Sequence, residues 1–322
     1  MKIPFFGKPD FIVIGIHGLL NKPPKRLLKR WWIASIREGF ALAGLQSRNF
    51  SFELVYWADC LYSKPLDINE TREGHPRFLD EPYIPSTRTA EIKKKKKPFS
   101  SFMRFFFRKT LDRVFLSTKM KEDTRVISED ILDLAFPDLA HYYANKRVFS
   151  RKTGARDLLR KKLCSVIKKY SGSEILLIAH SMGSIISFDV LSDNPHAVDT
   201  LVTAGSPLGQ PFVRKQFADE RSIALSKKNT IAVPETIRNG WFNLADAKDM
   251  VAFITDIADG YSKNSRGIAP KDINVFNDYI YNDHENHHNI CGYLRTPEMA
   301  RILHEFVSRQ EVTLWERIRK LF

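Results

Sequence analysis

One stretch constrains this chain more than any other: EILLIAH (Glu174–His180), followed without a break by SMGSIISFDVL. A short continuous apolar run reads as a strand buried on both faces of a parallel sheet. A helical pattern begins directly after it, which leaves Ser181 on the corner between strand and helix. The two backbones pass close together at such a corner, so small residues are needed on either side, and Ala179 and Gly183 supply them. With His180 before the serine and Met182 after it, the corner reads Ala-His-Ser-Met-Gly. It predicts an exposed Ser181 hydroxyl at the C-terminal edge of the sheet. It also predicts a Met182 amide at a helix N-terminus, able to donate to a developing oxyanion. A serine that merely caps the helix is the simpler alternative.

The rest of the chain alternates strands with helices. FIVIGIHG (Phe11–Gly18) is a second buried strand, and Pro23-Pro24 open a helix through Trp31, Trp32, Ile36 and Phe40 that closes at Gly44. Phe52–Asp59 reads as a strand and Thr153–Tyr170 as the helix leading into EILLIAH. Asp199–Leu208, Trp241–Asp246 and Ile273–Asp278 read as further strands. Two helical patterns, Pro297–Arg309 and Val312–Phe322, finish the chain. This order implies an α/β fold with a mostly parallel central sheet and helices on both faces. Residues 1–59 and 151–322 form that core. Residues 60–150, with prolines, charge runs and no strand alternation, form an insertion whose ends must lie close together.

A serine hydroxyl needs a base, and the base needs an orienting carboxylate. In this architecture both follow the serine, acid before histidine. Asp246 and Asp249 follow the strand WFNLA, and the cluster Asp283-His284-Glu285-Asn286-His287-His288 comes later. The first strand, FIVIGIHG, ends in His17-Gly18-Leu19-Leu20. There Gly18 lets the backbone turn so that the Leu19 amide faces the same oxygen as Met182, while His17 braces the loop. The downstream cluster could also suggest a metal, but adjacent histidines on a regular element do not generally share one tetrahedral centre. No metal and no cofactor are expected.

The segments IHGLL, AHSMGS, AGSPL, WFNLADAKDMVA and HHNICGYLRTPE together resemble bacterial serine esterases and lipases of the α/β-hydrolase superfamily. The likeness covers Phe11–Asp59 and Ser171–Gln310 and does not extend to the insertion. It implies Ser181 as nucleophile, His288 as base and Asp249 as acid, with Asp246 in reserve. It also implies an oxyanion hole of the Leu19 and Met182 amides, and carboxylic esters as substrates, including lipid or phospholipid acyl esters. Two positions depart from the pattern: Ala179 stands for the first glycine of the serine motif, and His287 stands where such relatives often carry proline.

Charge adds a second theme. The net charge is +14, yet the stretch from Arg88 to Arg125, with 13 basic and 4 acidic residues, carries +9 of it. Lys93, Lys94, Lys95, Lys96 and Lys97 precede PFSSFMRFFFRKTLDRVFL. Wound as a helix, that segment gathers Phe99, Phe102, Met103, Phe106, Phe107 and Val114 on one broad face. A basic, phenylalanine-rich segment suits an anionic membrane surface, or a lid over the serine. The bland alternative is an aromatic face packed on the core beneath solvated lysines. Nucleic acid is not expected, since no readout motif accompanies the lysines. The start, MKIPFFGKPD, carries no export signal, and Cys60, Cys164 and Cys291 are scattered. These features suggest reduced thiols and a cytoplasmic protein, peripheral on the inner face of the membrane. No signal sets an oligomeric state.

Overall fold

Alternate side chains of the apolar strands feed two cores, one on each face of a single sheet. In the computed structural model the described residues are 9–86, 137–145, 153–193, 195–221, 230–252 and 254–319. Lys93–Lys97, Phe102 and Phe106 therefore lie outside the described residues, as does the rest of 87–136. The longer strands are β1 (Phe11–Ile16), β2 (Ser51–Val55), β3 (Glu174–His180), β4 (Val198–Ala204), β6 (Ile237–Ala245) and β8 (Pro270–Asn274). Two-residue strands β5 (Ile231–Ala232), β7 (Tyr261–Ser262), β9 (Ile280–Tyr281) and β10 (His284–Glu285) complete the set. The helices are α1 (Lys25–Leu42), α2 (Ala58–Leu61), α3 (Pro137–Tyr143), α4 (Ala155–Lys169), α5 (Met182–Asp193), α6 (Pro211–Glu220), α7 (Ile290–Leu294) and α8 (Pro297–Arg319).

The six longer strands pair in the order β2-β1-β3-β4-β6-β8, and every pairing is parallel. Ile12, Ile14, Ile175 and Leu177 face one core with Leu159, Leu163 and Ile167 of α4 and Phe188 of α5. Phe11, Val13, Leu176 and Ile178 face the other with Trp32 and Phe40 of α1 and Leu303 and Phe306 of α8. This two-sided burial explains why β1 and β3 are apolar throughout instead of alternating. From β1 the chain steps outward to β2, then returns to β3 on the opposite side of β1. Strand order thus reverses between β1 and β3, and in open α/β sheets the crevice beyond the strand ends at such a point is where ligands bind. Ser181 and the His17–Leu20 loop both sit there.

Several boundaries differ from the sequence reading. The second strand stops at Val55, because the Trp57 and Ala58 amides donate to the His17 ring at 3.0 and 3.3 Å instead of to a neighbouring strand. β4 stops at Ala204, where Gly205 turns with φ +56°. The last sheet strand is Pro270–Asn274, earlier than Ile273–Asp278, and Pro297–Arg319 is one continuous helix instead of two. Helix α6, opened by Pro211 at its first turn, was not anticipated. Among the described residues no helix is long and apolar enough to cross a membrane. Tyr62 donates to Asp138 at 2.7 Å, joining the described stretches on either side of residues 87–136.

Helices α3, α4 and α6 are tied to α5 through one buried carboxylate. Asp189 accepts from the Tyr142 hydroxyl at 2.5 Å and from Arg156 at 2.9 and 3.0 Å, and it pairs with Arg160 and Arg221, each at 2.7 Å. Burial pushes its pKa up, but the hydrogen bonds of Arg156 and Tyr142 and the arginine charges win and bring it to about 2. A carboxylate depressed in the folded state stabilises the fold above its unfolded pKa and loses that contribution as pH falls through the folded one. Asp189 should therefore contribute fully at neutral pH, with the contribution fading between about pH 4 and pH 2. Asp189→Asn should cost about 3 kcal/mol at pH 7 by leaving the arginines without their anion. Urea unfolding across that pH range checks both, and an unchanged acid limb in the variant would contradict the assignment.

Candidate active site

The β3–α5 corner forces Ser181 into the left-handed region at φ +53°. Its amide donates across the sheet to the Ala204 carbonyl at 3.1 Å, and its carbonyl accepts from the Ser184 amide at 2.9 Å. The corner packs directly against the end of β1. A Cβ built on Gly183 would stand 2.8 Å from the carbonyl oxygens of both Ile16 and His17, and one on Gly18 would stand 2.6 Å from Ser181 Cβ. That contact corrects one expectation: Ser181 is not exposed but only 1% accessible, with the Gly18 backbone lying across it. Its hydroxyl has no hydrogen-bond partner among the described residues.

The loop after β1 is held by groups far apart in sequence. His17 stacks on Trp57 at 4.5 Å, donates from Nδ1 to the Gly18 carbonyl at 2.9 Å, and accepts at Nε2 from the Trp57 amide. Burial, then the Lys22 charge, hold its pKa well below the ordinary value, so the ring is neutral and wholly occupied as a brace. Leu20 adopts φ +69°, an uncommon conformation for a branched side chain. Both sides of the Leu19–Leu20 peptide are pinned: the Lys22 ammonium donates to the Leu19 carbonyl at 2.5 Å, and the Leu20 amide donates to Asp138 at 2.6 Å. The Leu19 amide donates to no backbone carbonyl among the described residues. The Met182 amide, first in α5, has none inside its helix.

The structure brings His288 to Asp249 and His287 to Asp246. His288 Nδ1 lies 3.0 and 2.9 Å from the two oxygens of Asp249, whose side chain is fully buried while the His288 ring is about a quarter exposed. Asp249 also accepts from the Tyr293 hydroxyl at 2.7 Å and from the Val251 amide at 2.8 Å. Burial works to raise the Asp249 pKa, but the charge and bond of His288, with the bonds of Tyr293 and Val251, leave it below the ordinary value. Asp246 instead organises its own turn, accepting from the Lys248 and Asn277 amides at 2.8 and 2.6 Å, with His287 Nδ1 at 3.3 Å. His287 reaches Glu285 through its other nitrogen at 3.2 Å, so the two adjacent histidines point to different acids.

Contact with the serine corner comes through Gly205 and His180. A Cβ on Gly205 would stand 2.8 Å from Asp249 Oδ2 and 3.0 Å from His288 Nδ1, so only glycine lets the pair approach the end of β4. Ser181 is bonded to the preceding residue, Ala204. The His180 ring lies 4.8 Å from that of His288 and donates from Nε2 to the His288 carbonyl at 2.8 Å. Burial and the His288 charge keep His180 well below its ordinary pKa, hence neutral. No hydrogen bond joins His288 Nε2 to the Ser181 hydroxyl, which is without a partner among the described residues. Comparison with protein-family models and with curated proteins finds no match to this chain.

Sequence reasoning missed four contributors: Tyr293, Asp138, Lys22 and Glu81. Tyr293 lay inside the noted Gly-Tyr-Leu segment, but nothing there says that its hydroxyl bridges the Asp246 amide, at 3.1 Å, and the Asp249 carboxylate. The other three carry no local signal at all. Removing the phenol leaves Asp249 buried with one fewer donor, and a hydrogen bond to a charged group is worth about 2 kcal/mol. Tyr293→Phe should lose about that much folding stability and raise the Asp249 pKa. Urea unfolding and the carboxyl-carbon NMR titration of Asp249 measure the two effects.

Proposed function

We propose that this protein is a serine hydrolase acting on carboxylic esters. The observation that carries the reading is an unpartnered serine hydroxyl at the sheet edge where a histidine is already bound to a buried aspartate. The Ser181 hydroxyl is buried without a partner. His288 has Nδ1 committed to Asp249, which leaves Nε2 free to act. Ser181 Oγ attacks the ester carbonyl while its proton passes to His288 Nε2, and Asp249 stabilises the resulting imidazolium. The Leu19 and Met182 amides receive the negative charge that develops on the carbonyl oxygen. His288 then protonates the departing alcohol, leaving an acyl-Ser181 ester. Water, deprotonated by His288, attacks that ester; as the acyl–Oγ bond breaks, the His288 imidazolium returns its proton to Ser181 Oγ, and the carboxylic acid is released. An alcohol in place of water would give acyl transfer through the same intermediate. The preference for esters, including those of lipids and phospholipids, rests on the resemblance of the motifs.

The burial of Ser181 favours a second reading, a non-catalytic docking module on a hydrolase scaffold. A fluorophosphonate probe separates the two. The hydrolase reading expects covalent labelling that disappears in Ser181→Ala and His288→Ala; a folded wild type that stays unlabelled supports the module. Asp249→Asn should lower kcat by up to about 10⁴-fold, and Asp246→Asn far less. The reverse ranking in ester hydrolysis would transfer the acid's role to Asp246.

The reading extends to the insertion, as a lid or a contact with an anionic membrane on the cytoplasmic side. Its support is compositional: five lysines beside a phenylalanine-rich segment, each basic residue near such a surface contributing about 1 kcal/mol. Replacing Lys93–Lys97 by glutamine should weaken sedimentation with anionic liposomes, most of all at low salt. Sedimentation unaffected by the substitution would remove the membrane role.

A further inference from the structure

The loop between β10 and α7 places His288 between two asparagines, and both spend their side-chain oxygens within the loop. Asn286 Oδ1 accepts from the His288 amide at 2.9 Å, and Asn289 Oδ1 accepts from the Cys291 amide at 2.9 Å, capping α7. The Asn289 amide closes the turn on the Asn286 carbonyl at 3.1 Å. Each side chain then has an amino group left over, and both amino groups turn to the same carboxylate. Asn286 donates to Glu81 Oε1, and Asn289 donates to Glu81 Oε2 at 3.2 Å. A carboxylate only accepts, so it selects one orientation of both amides, nitrogen outward and oxygen toward the loop. With the Asn286 amide reversed, an amino group would face the His288 N–H and that bond would be lost.

Glu81 reaches the loop from a segment that is anchored separately. Tyr279 donates to the Pro82 carbonyl at 2.6 Å, Arg295 to the Ile84 carbonyl at 2.6 Å, and Ser86 to Asp278 at 2.8 Å. The carboxylate is thus held by contacts on both sides of the loop it faces. On the far side of His288, its carbonyl is fixed by His180. The main chain of His288 is therefore gripped at its amide, through Asn286 and Glu81, and at its carbonyl, while Asp249 aims the ring.

We infer that Glu81 is a positioning residue for His288, setting the ring's approach to Ser181 through Asn286 and Asn289. The inference rests on the hydrolase reading above. It assigns a task to the end of the insertion's first described part: residues 81–86 hold the loop that carries the base.

The full-length chain, assayed with p-nitrophenyl butyrate and a fluorophosphonate probe, tests it. Glu81→Gln replaces one acceptor by a donor that opposes an asparagine amino group. It should lower kcat roughly 10- to 100-fold, the effect of a small misplacement of a reacting group, with KM unchanged. Reversing the polarity, in the double variant Glu81→Gln and Asn286→Asp, lets residue 81 donate to residue 286. Residue 286 still accepts from His288, and most of the lost kcat should return. Wild-type kcat in Glu81→Gln overturns the inference, as does a folded double variant no faster than the single one. If Glu81→Gln alone fails to fold, the double variant decides: restored folding and kcat support the inference, and loss of either overturns it. A wild type that the probe does not label removes the hydrolase reading, and the inference falls with it. Labelled wild type with an unaffected Glu81→Gln removes the inference alone.

Discussion

The packing of the β3–α5 corner against the end of β1 is the contact on which the rest of the site depends. Two backbones meet there with no room for a side chain at Gly18 or Gly183. The corner can be this tight because β1 and β3 are direct neighbours in register, from Phe11 opposite Glu174 to Ile16 opposite Ala179. Their pairing is secured on both faces, by Ile12, Ile14 and Leu177 against α4 and α5 and by Val13 and Leu176 against α1 and α8. Two cores thus clamp one strand pair, and the strand pair holds Ser181 at φ +53°. A left-handed conformation of this kind costs about 1–3 kcal/mol and persists only where the surroundings over-determine it.

A second principle is that the loops near the corner are held from outside as well as by their own segments. The loop after β1 is pinned by Trp57 from beyond β2 and by Asp138 from the far end of the insertion. The His288 loop is gripped by Glu81 from the near end of the insertion and by His180 from β3. Both described ends of the insertion thus touch the machinery, one at the proposed oxyanion loop and the other at the proposed base loop. The polar groups involved are largely sheltered from water, where hydrogen bonds are electrostatically stronger and an unmade one is costly. Such a network favours a single arrangement over a range of looser ones.

The seclusion of Ser181 gives this arrangement its particular character. The Gly18 backbone covers the serine, and its hydroxyl is the one group of the proposed triad with no bond to another. Asp249 and His288, by contrast, are already joined and aimed. In the proposed reaction, base and acid are therefore set before substrate arrives, and the contact between Ser181 and His288 remains to be made. Catalytic hydrogen bonds are often long in the free protein and tighten in the complex.

Much of the fold was legible in the chain. EILLIAH is a strand with the bounds its apolar run implied, and the Ser181 corner follows from the helix pattern that begins at once after it. Continuous apolar runs are unambiguous when both faces of a strand are buried, which is why β1 and β3 were easy and the half-polar β8 was misplaced by three residues at its start and four at its end. Which histidine meets which acid was different. Asp246 and Asp249 stand three residues apart, and His287 and His288 are adjacent. Spacing alone pairs them either way, and only the resemblance of the motifs ranked one pairing above the other. Their actual partners are set by the turn that Asp246 closes on Asn277 and by the Tyr293 phenol that rises beside Asp249. Glu81 and Asp138 left no trace in the sequence, because a contact between residues more than a hundred positions apart has no local pattern. The sequence by itself determined the strand order of burial, the corner and its serine. Tertiary structure decided the pairing, the seclusion and the clamps, since these depend on distances that arise only when the sheet's C-terminal edge draws remote loops together.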